Sequence, residues 1–198
     1  MTESNPFATR FTRPGALDFL FAEGESLAGL VDLLRQHNWR GQIVGPHGSG
    51  KSTLVAALLP ALAAAGKRVE RFVIPGGQRK LPAELATGTC SDGQPWSADT
   101  LVIVDGYEQL GWLARRQLPR LARRQGAGLL VTTHRDLGLP TIFETQPSDE
   151  LARRIVERLL PEGDRTIIAT DIARARAAHG DNLREMLFAL FDVYRSRR

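Results

Sequence analysis

The chain has 198 residues, a net charge of +4 at pH 7, and hydrophobic and charged fractions of 42% and 24%, enough for one globular domain with a small appendage. The sequence contains no run of about eighteen apolar residues, so no membrane span is predicted. The polar segment Met1 to Arg13 lacks the apolar centre of a signal peptide. The single cysteine, Cys90, excludes an internal disulfide and a cysteine-based metal site, so we expect a cytoplasmic protein.

The first part of the chain alternates helical and extended patterns. Residues 1–24 are predicted to be irregular but packed, because they include several phenylalanines. Ser26 is predicted to cap a helix whose apolar residues share one face. A short strand, 42–44, leads into a glycine-rich turn, and the apolar helix 51–65 that follows is predicted to be buried nearly all round. The next strand covers 68–74.

The middle of the chain continues the same alternation. A long stretch rich in Pro, Gly and Ser contains one short predicted helix, 82–86. Residues 101–104 (LVIV) form a continuous apolar strand, which is typical of a parallel sheet buried on both faces. A helix over 110–125 follows, and then two more strands, 128–133 and 141–145.

The C-terminal part is predicted to be helical. Ser148 caps a helix that runs to Leu160, and residues 166–169 are predicted to be extended. Two further helices are predicted, with Gly180 as the stop of the first and Asp181 as the cap of the second, which carries one apolar face. Together the patterns predict an α/β fold: a parallel sheet of about five strands with helices on both faces, over residues 1–160, and a small helical lid over 161–198.

Residues 45–52 (GPHGSGKS) match the phosphate-loop pattern G-x-x-x-x-G-K-[ST] in full, between an apolar strand and an apolar helix. Its glycines allow the backbone N–H groups to turn inward and, with the helix N-terminus, to hold phosphate. Lys51 supplies a cation to the β- and γ-phosphates, and Ser52 a hydroxyl to Mg²⁺. The expected nucleotide-binding residues are Gly45, Pro46, His47, Gly48, Ser49, Gly50, Lys51, Ser52 and Thr53. The pattern predicts a bound ATP with Mg²⁺.

Asp105 is the predicted second metal-binding residue. It follows the apolar strand 101–104, in the hhhhD pattern of a Walker B strand. A carboxylate at the end of a buried strand is costly without a cation, and a phosphate loop needs such a partner for its metal. The alternative is an aspartate that only starts the following turn.

With these motifs in this order, most of the chain resembles the AAA-type ATPases, in particular the small bacterial ones of the transposition, origin-recognition and STAND branches. The strand 129–134 (LLVTTH) resembles sensor 1, which implies that Thr133, or His134 as a second candidate, orients the attacking water or reads the γ-phosphate. Arg184 resembles the sensor 2 arginine of the lid; the alternative is an ordinary exposed helix arginine. The segment from Phe7 to Phe21 resembles the part that wraps the adenine.

The chain departs from that family at the residue after Asp105, where the family has a water-polarising glutamate and this chain has Gly106. The nearest carboxylate is Glu108. Either Glu108 reaches the water, or it stabilises the following helix dipole. We therefore expect slow hydrolysis by an ATPase that acts as a molecular switch or drives a partner. The short stretch from His134 to Thr141 also leaves no room for a helix with an arginine finger.

Three other classes stay open. The phosphate loop and residues 133–137 resemble the ABC ATPases, but only about fifty residues separate Lys51 from Asp105, too few for their helical subdomain. A small-molecule kinase would need a carboxylate after the second strand, where this chain has 75–80 (PGGQRK). Because of Gly106, the third alternative is a nucleotide switch without turnover.

The predicted helix 110–125 is rich in arginine. A phosphate-backbone contact and a solvated face are both open interpretations, and Leu110, Leu113, Leu121 and Ala122 are expected to make up most of the other face. Trp112 is expected to pack inside. A protein partner or self-association is also expected. The arginines that define the candidate nucleic-acid surface are Arg115, Arg116, Arg120, Arg123 and Arg124.

Overall fold

The structure of the protein is a computed structural model that describes residues 5–198; the irregular start predicted for residues 1–4 lies outside them. A 3₁₀ turn spans Tyr107–Gln109. The helices are α1 (Thr9–Thr12), α2 (Leu27–Gln36), α3 (Lys51–Ala64), α4 (Ala83–Thr87), α5 (Trp112–Arg124), α6 (Asp149–Leu159), α7 (Ala169–His179) and α8 (Leu183–Ser196). The strands are β1 (Arg40–Val44), β2 (Arg68–Val73), β3 (Thr100–Asp105), β4 (Gly128–Thr133) and β5 (Thr141–Glu144).

The five strands form one parallel sheet in the order β2-β3-β4-β1-β5, which confirms the predicted fold class. All residues of β3 and of β4 are buried, as expected for the interior of a parallel sheet. The pairing of β3 with β4 sets Leu101 opposite Gly128 and Val104 opposite Val131. The carboxyl ends of these strands therefore lie at the same edge of the sheet.

Helices cover both faces of the sheet. Ala114, Leu118 and Ala122 of α5 belong to a buried cluster with side chains of one face, including Val102 and Val131. Successive strand residues point to opposite faces, so Gly41, which pairs with Leu130, lies on the other face. There α2 approaches closely, and a Cβ added at Gly41 would lie 3.2 Å from Leu34.

The chain forms two compact units. The sheet lies in the unit made of Glu23–Val44 and Ala57–Glu144; the other comprises Met1–Ala22, Gly45–Ala56 and Thr145–Arg198. The predicted division of the chain at residue 160 stays a prediction. Within residues 5–198, no helix combines the length and the apolar character needed to cross a bilayer.

The second unit has its own apolar core, which α6, α7 and α8 share with the N-terminal segment. Phe7 is fully buried and meets the ring of Tyr194 edge-on at a centroid distance of 5.9 Å. The side chain of Asn5 donates to the carbonyl of Phe191 at 2.9 Å. The N-terminal segment is therefore packed, as its phenylalanines predict.

Helix starts agree with the predicted caps at two positions and differ at a third. The Ser26 and Ser148 hydroxyls accept from the amides of Gly29 and Leu151. In α8, however, the cap is Asn182 rather than Asp181, because its Oδ1 accepts from the amide of Glu185.

The extended segment predicted over 166–169 is correct at Ile168 (φ −112°, ψ 166°) but wrong at Ala169. Ala169 is the first residue of α7, and no strand contains residues 166–168. The cause is Asp171, whose carboxylate accepts the amide proton of Ile168 at 3.0 Å and so starts the helix directly after it.

Two predictions of helix burial need correction. In α3, the buried residues are those of one face, such as Leu54 and Leu58, whereas Pro60 and the C-terminal alanines are exposed. In α5, the small residues Ala114 and Ala122 let the helix approach the sheet, so that Leu113 is turned outward and is 64% exposed. The apolar residues of α5 thus do not all share its inner face.

The ion pair between Asp171 and Arg197 yields a prediction about stability. Arg197 donates to both carboxylate oxygens at 2.6 and 2.8 Å, and the side chain of Asp171 is 3% exposed. These hydrogen bonds hold the pKa of Asp171 below its ordinary value. A lowered carboxyl pKa contributes stability that is complete above the unfolded-state value near 3.9 and is lost as the pH falls through the folded-state pKa.

We expect Asp171→Asn to lower the free energy of unfolding at pH 7 by about 1–3 kcal/mol. The difference from the parent should disappear as the pH falls below the lowered pKa. Urea unfolding at several pH values measures this. Asp192→Asn, at an exposed pair with Arg195, is the control and should change little. A difference that is constant with pH would contradict the interpretation.

Candidate functional site

The phosphate-loop residues connect β1 to α3 through three glycines with positive φ: Gly45 (156°), Gly48 (68°) and Gly50 (100°). These angles disfavour a side chain. The surrounding atoms also exclude a side chain at Gly45, because its Cβ would collide with the hydroxyl of Thr145. The chain therefore turns between strand and helix as the motif predicts.

Lys51 is the first residue of α3 and is 8% exposed. Its Nζ donates to the carbonyl oxygens of Gly45 at 2.7 Å and Pro46 at 2.6 Å. A buried ammonium group of this kind needs such acceptors. The cation is thus held inside the loop.

Ser49 and Thr145 brace the loop from within. Their hydroxyl oxygens lie 2.5 Å apart, and both side chains are buried. Thr145 follows β5 directly and was missed by sequence reasoning; the only signal was a hydroxyl residue at the end of a short strand. Ser52 and Thr53 are partly buried, and His47 is exposed.

The start of α8 approaches the loop at Gly48. A Cβ there would collide with the Oδ1 of Asn182 and would lie 3.3 Å from the Cβ of Arg184. The guanidinium-bearing residue Arg184 is exposed. The predicted sensor 2 candidate is therefore beside the phosphate loop, and Asn182 is a contact that the sequence did not reveal.

The N-terminal segment also reaches the loop. A Cβ at Gly50 would lie 3.5 Å from the ring of Phe19, which itself meets Phe21 edge-on at a centroid distance of 4.9 Å. Two aromatic rings near a phosphate loop can hold a base by stacking. The adenine contact that the resemblance implies for this segment stays a prediction.

Asp105 lies at the carboxyl end of β3 and is 9% exposed. The hydroxyl of Thr132 donates to its Oδ1 at 2.6 Å, and Arg71 of β2 donates to its Oδ2 at 3.2 Å. Both oxygens of this carboxylate are therefore held in place. Sequence reasoning missed Thr132 and Arg71.

Gly106 explains why the carboxylate expected next to Asp105 is absent. Its φ is 83°, and an added Cβ would lie 2.8 Å from the carbonyl oxygen of Ile74. The amide of Ile74 in turn donates to the Asp105 carbonyl at 2.8 Å, which fixes this approach. A side chain at residue 106 is therefore excluded by both conformation and space.

Glu108 lies in the 3₁₀ turn and pairs with His134, whose Nε2 is 2.6 Å from its Oε1. The other oxygen, Oε2, is buried and has no hydrogen-bond partner among the described residues. An unsatisfied buried carboxylate oxygen is rare and marks a candidate functional group. Glu108 and His134, predicted separately, are thus one pair.

The turn that carries Glu108 is anchored by Tyr107. Its hydroxyl donates to the carbonyl of Arg115 at 2.6 Å, and burial raises its pKa to about 12. Thr133 is fully buried, and its hydroxyl donates to the carbonyl of Arg135 at 2.9 Å. It is therefore Thr132, and not Thr133, that contacts Asp105; the sensor 1 role of Thr133 stays a prediction.

The candidate metal ligands fit Mg²⁺ by their chemistry. A serine hydroxyl and a carboxylate are oxygen donors, and Mg²⁺ bound with nucleotide takes one or two protein ligands besides phosphate and water. Among residues 5–198, no group of three or more His, Cys, Asp or Glu side chains could hold a metal by itself. Any metal here would need a second source of ligands, which a triphosphate supplies.

Comparison with solved structures supports the fold. The chain superposes on Cdc6p from Pyrobaculum aerophilum with a TM-score of 0.57 and 17% identity, over 86% of this chain and 60% of that one. It thus covers about three fifths of that protein's length. PCH-2 from C. elegans matches with a TM-score of 0.38 and 15% identity over 86% and 67%, too low for a shared fold to be argued. No protein-family model and no curated protein matches the sequence.

The likeness to Cdc6p confirms the predicted resemblance in fold to the P-loop AAA-type ATPases. The connection from β2 to β3 agrees with the argument against an ABC ATPase, because its helical content is α4, a five-residue helix.

The conformation of Gly106 generates a prediction that sequence comparison alone would reverse. Gly106→Glu supplies the glutamate at the family's usual position, yet we expect it to lower the free energy of unfolding by about 1–3 kcal/mol and not to raise nucleotide turnover. Thermal unfolding and a phosphate-release assay measure the two effects. Gly138→Glu is the control, because its φ is also positive (86°) but nothing lies within 4 Å of an added Cβ. A stable Gly106→Glu variant with faster turnover would contradict this view of the turn.

Proposed function

We propose that the chain binds a nucleoside triphosphate with Mg²⁺, most simply ATP, at residues 45–53, and hydrolyses it slowly. The observation that carries the proposal is Lys51, a buried cation held within a glycine-rich loop at a helix N-terminus. Phosphate oxygens would replace the carbonyls as its acceptors. The loop amides and the start of α3 would supply further donors.

In the proposed site, Ser52 and Asp105 bind the metal. The donor set supports Mg²⁺, and Thr132 keeps the carboxylate of Asp105 oriented. Arg71 holds the other oxygen of Asp105, so a metal that binds there would share this carboxylate with a guanidinium group or displace it.

For hydrolysis, we propose Glu108 as the group that accepts the proton of the attacking water. Its buried Oε2 supports this role, because it is an acceptor without a partner among the described residues. His134 would position Glu108 through the contact to Oε1. Arg184, next to Gly48, would stabilise charge on the γ-phosphate, with Thr133 as the sensor 1 residue.

A second candidate function is a nucleotide switch without turnover. Gly106 favours it, since the position next to Asp105 admits no side chain. The two candidates differ in turnover and not in binding. In both, nucleotide state would be communicated to a protein partner or to a second copy of the chain.

The first prediction from this proposal concerns nucleotide binding. Lys51→Ala removes the cation proposed for the β- and γ-phosphates, so we expect it to weaken the binding of a fluorescent ATP analogue with Mg²⁺ by about 10- to 100-fold. Lys80→Ala, at an exposed lysine, should bind like the parent. Equal affinities of Lys51→Ala and the parent would show that the loop is not the binding site.

The second prediction concerns turnover. Glu108→Gln keeps the shape of the side chain but removes the acceptor charge, so we expect unchanged nucleotide affinity and a loss of turnover of about 100-fold or more. Steady-state phosphate release and equilibrium binding give the two values. Glu84→Gln, an exposed carboxylate in α4, is the control. Unchanged turnover in Glu108→Gln would favour the switch over the hydrolase.

A further inference from the structure

The outer face of α5 is the most strongly charged helical surface among the described residues. Its sequence, WLARRQLPRLARR, has five arginines and no acidic residue. Elsewhere, three exposed helix arginines pair with an acid three residues earlier: Arg35 with Asp32, Arg153 with Glu150 and Arg195 with Asp192. We call the exposed residues Arg116, Arg120, Arg123 and Arg124 the arginine face.

Within residues 5–198, no residue of the arginine face forms an ion pair with an acid. Arg116, Arg120 and Arg124 repeat every four residues, a spacing at which like charges destabilise a helix by about 0.2–0.5 kcal/mol per pair. Pro119 adds a further cost inside the same helix. The helix thus retains a repulsion between arginines that a bound polyanion would relieve.

Trp112 begins α5 and is 60% exposed, which corrects the expectation that it packs inside. The guanidinium carbon of Arg116 lies 4.9 Å from the centre of its ring. Trp112, Arg116 and Arg120 follow one another at four-residue steps, so they lie along one stripe of the helix. An exposed indole in line with guanidinium groups offers both a stacking surface and cations.

Basic residues extend this stripe at both ends. At the N-terminal end, the carbonyl of Arg79 accepts the amide proton of Gly111 at 2.8 Å, which places the Arg79-Lys80 segment next to Trp112. At the C-terminal end, burial and the nearby Arg123 lower the pKa of Arg40. The basic surface is therefore longer than α5, which spans about 20 Å.

We propose that the arginine face, together with Trp112, binds single-stranded nucleic acid. Its guanidinium groups contact successive phosphates, and the indole stacks on a base. A single strand fits better than a duplex, because the bases of a duplex are already stacked on one another and leave no face for the indole. The chemistry is shared by DNA and RNA.

The proposal does not depend on nucleotide binding, so it is tested without ATP. Fluorescence anisotropy of labelled oligothymidylate and oligouridylate of about 20 nucleotides, long enough to follow the helix, gives the affinities at several salt concentrations. The parent should bind at low salt and lose affinity as salt rises. Tighter binding of one of the two oligomers distinguishes DNA from RNA, and either preference agrees with the proposal.

The variant Arg116→Gln/Arg120→Gln/Arg123→Gln should bind at least about tenfold more weakly and lower the salt dependence by about two units of log–log slope. Trp112→Ala should bind at least about fivefold more weakly, whatever the base. The matched control is Arg153→Gln/Arg154→Gln/Arg195→Gln, which removes the same charge from exposed positions of α6 and α8. It should bind like the parent.

Four outcomes would overturn the proposal. The first is no binding at low salt, which would leave an acidic protein as the occupant of this face. The second is equal weakening in the two triple variants, which would mean diffuse charge attraction. The third is parental affinity of Trp112→Ala, and the fourth is a duplex of the same length bound as tightly as the single strand. Circular dichroism of each variant checks that the fold is retained.

Discussion

The pairing of β3 with β4 is the constraint on which the position of Asp105 at the sheet edge depends. Both strands are buried along their whole length, so their register is set by packing on two faces at once. That register sets Val104 opposite Val131 and brings the hydroxyl of Thr132 to Asp105. A buried carboxylate is costly unless it is hydrogen-bonded, and this bond meets part of the cost before any metal binds.

The same edge shows how a local backbone constraint decides where along the chain a carboxylate can lie. The carbonyl of Ile74 occupies the space where a side chain of Gly106 would lie, so no glutamate can follow Asp105 directly. The next carboxylate, Glu108, lies in a tight turn and pairs with His134, which directly follows β4. One oxygen of Glu108 is thereby fixed, and the other is left buried as an acceptor.

Much of the fold and half of the site could be predicted from the sequence, since the phosphate loop and Asp105 are local patterns with strong flanking signals. The side chains that contact Asp105 were harder to predict. Thr132 and Thr133 are adjacent hydroxyl residues, and only the register with β3 decides which one meets Asp105. Arg71 lies on the edge strand β2, where nothing in the sequence marks it as a partner. In α5, size decided the inner face, since small alanines pack closer than Leu113.

The two charged groups of the proposed site share one energetic property. Lys51 already has the carbonyl oxygens of its own loop as acceptors, and Asp105 already has Arg71 and Thr132 as donors. Ligand binding would therefore exchange partners at groups that are partly desolvated in advance, rather than strip water from free charges. Such an exchange costs less desolvation but gains less net energy per contact.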